Sequence, residues 1–111
     1  MRNSPITQSE VEEELLRLFE LMESEVEAYE ALATDEARKS AAYKHLWATE
    51  YISAKGSIPE REAWADYKLD NECYDAKIAE ALVKAKREKL SMLRTGIEAL
   101  RTIAANVRTM T

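Results

Sequence analysis

From Val11 onward, apolar side chains recur at steps of three and four: Val11, Leu15, Leu18, Met22, Val26, Tyr29 and Leu32, with mostly charged and polar residues between them. That period puts one side of an α-helix against a partner and leaves the rest to water. Thr7 with Glu10 and Ser9 with Glu12 form two overlapping capping boxes at the start, and the acids of the first turns complement the helix dipole. Residues 6 to 55 contain neither Gly nor Pro. Thr34-Asp35-Glu36 carries residues suited to a cap, but with no breaker beside them one helix is expected from about residue 9 to 54. It ends at Lys55-Gly56-Ser57-Ile58-Pro59, where Gly56 suits a C-terminal cap and Ser57 with Glu60 repeats the capping box. Pro59 then falls in the first turn of the next helix, where its missing N–H is harmless.

The second arm has no further Pro and only Gly96 as a weak point, so a second helix is expected from about residue 58 to 108. It carries two apolar stripes. One reads Trp64, Tyr67, Asn71, Tyr74, Ile78, Ala81, Ala85, Met92, Ala99 and Ile103, and its spacing resembles a heptad seam. The other reads Leu69, Cys73, Ala76, Leu82, Leu90, Leu93, Ile97, Leu100 and Val107. A single partner helix cannot cover both. The expected fold is therefore all-α, a long antiparallel helical hairpin that assembles into a coiled-coil-like homo-oligomer. Residues 1–8 are expected to form an N-terminal tail, and residues 9–111 one hairpin domain.

Composition agrees with this reading and removes other classes. Two Gly and two Pro in 111 residues are too few to punctuate a sheet protein, and 33% charged residues with 46% in the apolar class suit amphipathic helices. No apolar run approaches a membrane span, and the first residues lack the apolar stretch of a signal peptide, so a cytoplasmic protein is expected. Cys73 is the only cysteine, which excludes an internal disulfide. His45 is the only histidine and lacks a glutamate three residues before it, so no di-metal helical site is expected. Gly56 and Gly96 stand apart, leaving no phosphate loop. Neither a catalytic centre, a metal site nor a cofactor is expected.

The net charge of −5 conceals an uneven distribution: residues 1 to 36 hold 11 acids against Arg2 and Arg17, whereas residues 37 to 111 hold 14 bases and 10 acids. Arg87, Arg94, Arg101 and Arg108 are spaced by seven, which alone suggests a rail for a phosphate backbone. Glu13, Glu20 and Glu27 are also spaced by seven, however. Folding the chain back at residue 57 opposes positions whose numbers add to about 114, so the two rows would meet and fix the register of the hairpin. Cations outside that ladder are the better candidates for a polyanion. Lys44, Lys55, Arg61 and Lys68 surround the turn among Trp47, Tyr51, Trp64 and Tyr67, and Lys84, Lys86 and Lys89 follow along the second helix. Cations beside aromatics supply the charge neutralisation and stacking that a single strand needs. The same aromatics sit at core spacing, so burial of both tryptophans is also expected.

The order of these features resembles a known family. The basic and aromatic helix end Tyr43-Lys44-His45-Leu46-Trp47 through Tyr51, the short Gly-containing turn, and the final helix from Ile97 to Arg108 are similar to the UvsY-type recombination mediators of bacteriophages. The stretch Ala76 to Ala81 and the Asn106-Val107-Arg108 ending also resemble small helical phage proteins. The resemblance covers roughly residues 40 to 110. It implies a non-enzymatic, self-assembling protein of the host bacterial cytoplasm that binds single-stranded DNA and helps load a recombinase in place of a single-strand-binding protein. The alternative is an oligomeric coiled-coil adaptor that binds protein partners only.

Overall fold

The computed structural model describes residues 5–109; residues 1–4 of the expected tail, and 110–111, lie outside this range. The chain is an all-α helical hairpin of three helices, α1 (Gln8–Ser53), α2 (Ile58–Lys68) and α3 (Asp70–Thr109). Of the two possible capping boxes at the start, Thr7 carries the cap: its Oγ1 accepts from the Glu10 N–H at 3.2 Å, and helix begins at Gln8. No interruption occurs at Thr34, because nothing there removes a backbone donor or favours a left-handed turn.

The turn between α1 and α2 follows from four residues. Gly56 takes φ +119°, a conformation that residues with a Cβ rarely adopt. Ser57 caps α2, its hydroxyl oxygen accepting from the Glu60 N–H at 3.3 Å and its O–H donating to Glu60 Oε1 at 3.0 Å. Pro59 occupies the first turn as expected.

The expected second helix is divided at Leu69, whose φ −110° and ψ 26° depart from helical values. Hydrogen bonds of the helical type continue on both sides: Leu69 N–H donates to Ala65 at 3.0 Å, and Cys73 N–H to Leu69 at 2.9 Å. The break precedes Asp70-Asn71, two poor helix-interior residues whose side chains compete for nearby backbone groups. Leu69 itself is buried, only 6% exposed, so packing holds the irregular residue in place.

Two compact units divide the chain. Among the described residues, one comprises 5–28 with 86–109, the other 29–85. In the first, Val11 and Ile97 are buried, and Leu15, Leu18, Leu90, Leu93, Leu100 and Val107 are half-buried. Gly96 lies in α3 where a Cβ would stand 3.8 Å from Leu18 Cδ1. In the second unit, Ala65, Leu69, Ala79 and Val83 form the buried centre, with Tyr43, Trp47, Tyr51, Cys73 and Ala76 half-buried around it. Hydrogen bonding to Cys73, then burial, holds the Tyr43 phenol above its usual 10.0.

The inward stripe is thus largely the one containing Leu69, Cys73, Ala76, Leu93 and Ile97, although its Leu82 is 49% exposed and turns outward. The bulkier stripe, expected as a heptad seam, faces out: Tyr67 is 76% exposed, Tyr74 65% and Met92 74%. Side-chain polarity agrees with the choice: the outward stripe carries Trp64, Tyr67, Asn71 and Tyr74, whose polar atoms keep water contact, while the inward one is built largely of Leu, Ile and Val.

Candidate functional site

Two side-chain constellations stand out, one in each unit. Near the turn, α1 and α2 exchange side chains in both directions. Trp47 of α1 donates its indole N–H to Asp66 Oδ1 of α2 at 2.9 Å, and Trp64 of α2 donates to Glu50 Oε2 of α1 at 3.0 Å. Trp47 stacks on Tyr51 with ring centroids 5.3 Å apart and planes inclined by 11°. On the Tyr51 ring lies the Arg61 guanidinium, 4.4 Å from its centroid, while Arg61 Nε donates to the Tyr51 carbonyl at 3.1 Å. Neither tryptophan is buried as expected: Trp47 is half-buried and Trp64 is 43% exposed. The reason lies in their polar ends, since each indole reaches a carboxylate at the helix edge instead of entering the apolar seam.

The second constellation sits in the seam of the first unit. Lys86 Nζ donates to Glu25 Oε2 at 2.7 Å, and Lys89 Nζ lies 3.1 Å from Glu25 Oε1. The Glu25 side chain is 12% exposed and that of Lys86 22%. Hydrogen bonds from Lys86 first and Lys89 second outweigh desolvation and hold the Glu25 carboxyl below its usual 4.5.

The structure accordingly divides the seven cations expected to meet a polyanion. Lys86 and Lys89 serve Glu25, Lys84 pairs with Glu80 on its own helix at 3.2 Å, and Arg61 serves Tyr51. Lys44, Lys55 and Lys68 are exposed at the turn end; Lys68 Nζ stands 5.4 Å from the Trp64 ring. Lys44 lines a shallow concavity with Tyr43, Trp47 and Asp66, and Lys55 another with Glu50, Glu60 and Trp64. Carboxylates thus stand among the turn-end cations, which lowers the positive potential there.

One member of the charge ladder, Arg101, takes another partner than expected. Arg101 pairs with Glu98 on its own helix at 3.2 Å and covers the Phe19 ring at 5.7 Å, rather than reaching Glu13. Arg17 pairs with Glu14, one turn earlier on the same helix. Three contacts, Glu25 with Lys89, Leu18 beside Gly96 and Glu50 with Trp64, add to the expected 114, while Glu25 with Lys86 adds to 111 and Phe19 with Arg101 to 120. What the sequence reading missed was a charge inside the seam. Glu25 follows Val11, Leu15, Leu18 and Met22 at the same three- and four-residue steps, so its signal was the seam period itself.

Among the described residues, no cluster of His, Cys, Asp and Glu converges to hold a metal ion, and no helix is long and apolar enough to cross a membrane. The architecture defines a class, the two-arm helical hairpin with a charged pair set into an otherwise apolar seam. Comparison with protein-family models, curated proteins and solved structures finds no match.

Proposed function

We propose that this protein is a non-enzymatic assembly module whose copies associate through the apolar face that the hairpin turns outward. The observation that carries this reading is the exposure of Tyr67, Tyr74, Ile78 and Leu82 in one unit. Soluble monomers rarely expose such continuous apolar faces unless something covers them. Light scattering over a range of concentrations tests it: a mass well above 12.7 kDa is expected, and a mass that stays at 12.7 kDa overturns it.

A second reading is favoured by Lys44, Lys55 and Lys68, exposed near Trp47 and Trp64. Under it, the assembly is a phage recombination accessory that binds single-stranded DNA at the turn end and helps load a recombinase. Changing the three lysines together to Gln should keep the helix content and weaken oligonucleotide binding. It should also flatten the log–log salt slope by about two units, at roughly 0.7 per lost phosphate contact. Unchanged affinity and slope in the triple variant would move the DNA site elsewhere. A protein that binds no oligonucleotide even in low salt leaves the adaptor reading, with protein partners only.

A further inference from the structure

The outward face of the second unit has a heptad order of its own. Tyr67 at the end of α2 and Asn71, Tyr74 and Ile78 of α3 follow one another at steps of four, three and four across Leu69, where helical hydrogen bonds continue, and Tyr67, Tyr74 and Ile78 are 76%, 65% and 44% exposed. On one edge of this row Asp70 and Lys77 stand seven residues apart; on the other, Lys68 and Asp75 do the same. All four are exposed, and among the described residues Asp70, Asp75 and Lys77 make no ion pair within the chain. Each edge thus carries one acid and one base, and of the four only Lys68 has a partner among the described residues, the Trp64 ring at 5.4 Å.

Building on the assembly reading, we propose that this face pairs with the same face of a second copy, antiparallel, about a twofold axis near residues 72–73. In an antiparallel helix pair, flanking positions of the same kind meet across the seam. With Asn71 opposite Tyr74 and Tyr67 opposite Ile78, Asp70 of each copy falls opposite Lys77 of the other. On the other edge Lys68 falls opposite Asp75. The twofold axis repeats both pairs, giving four attractions around a centre of tyrosine and isoleucine. A parallel, in-register pairing instead sets Asp70 of one copy against Asp75 of the other, so the charges select orientation as well as partner.

Sedimentation equilibrium of the full chain and three variants tests the pairing, with far-UV circular dichroism as the check on folding. Asp70→Lys and Lys77→Asp each create two like-charge contacts and should each raise the dissociation constant on the order of tenfold. The double exchange, Asp70→Lys with Lys77→Asp, restores opposite charges and should return it to within about threefold of the original. Lys77 lies away from the helix ends, so Lys77→Asp remains informative if Asp70→Lys disturbs the first turn of α3. Single variants that dissociate no more readily than the original overturn this pairing, as does a double exchange no better than the two losses combined. In both cases self-association through another face still stands. An original protein that is monomeric at every concentration removes both the pairing and the assembly reading.

Discussion

Lys86 Nζ donates a 2.7 Å hydrogen bond to Glu25 Oε2 across the seam between α1 and α3, where the neighbouring seam residues Met22 and Leu90 are apolar. A charged pair in such a place discriminates between registers: sliding one helix by a turn strands both charges against hydrocarbon. Lys86→Met leaves Glu25 with the more exposed Lys89 alone, and should lower the urea midpoint more than Lys89→Met does. Replacing both Glu25 and Lys86 by Leu should recover stability, but with a broader transition as other registers become accessible. A larger loss from Lys89→Met than from Lys86→Met would show that the outer lysine dominates.

The same contact sets a pH dependence. Because Lys86 and Lys89 hold the Glu25 carboxyl below its usual 4.5, its contribution is fully present above that value and is lost as pH falls through the lower value in the folded state. Thermal melts between about pH 3 and about pH 7 should show a fall in Tm at the acid end. Glu25→Gln should flatten that fall; an unchanged acid limb in this variant would assign it to other carboxylates.

The two glycines should respond in opposite directions. Gly56→Ala places a Cβ at φ +119° and 2.7 Å from the Glu60 carboxylate, and should cost about 1–2 kcal/mol. Gly96→Ala adds a methyl in ordinary contact with Leu18 at 3.8 Å within a helix, and should gain about 0.5–1 kcal/mol. Urea titration of both variants checks the signs, and a destabilising Gly96→Ala would mean that α1 and α3 need the closer approach.

Which stripe lies inside can be tested by truncation. Ile97, 4% exposed, should cost about 2–4 kcal/mol on replacement by Ala. Met92, 74% exposed, should cost less than about 0.5 kcal/mol. Equal losses would contradict the inward face described above.

Much of this architecture is legible in the residues. The hairpin could be read because Gly56, Ser57, Pro59 and Glu60 each favour the turn for a separate reason, and the register because heptad rows on two arms admit few alignments. Which stripe turns inward was not legible from period alone, because both stripes of the second arm keep helical spacing and the one with Trp64, Tyr67 and Tyr74 continues as a heptad. Glu25 and Lys86 escaped notice because a charge at a seam position looks like a gap in the pattern until its partner across the seam is known. At the turn end, spacing grouped the lysines but could not show that Glu50, Glu60 and Asp66 stand among them.

The hydrogen bond from Arg61 to the Tyr51 carbonyl bears on how the turn comes apart. No basic residue occupies the last turn of α1, and one of its terminal carbonyls, that of Tyr51, draws its cation from the following helix. Fraying of α1 and detachment of α2 are thereby one event. Amide protons in the final turns of α1 and along α2 should exchange with solvent at a common rate, as a single cooperative segment.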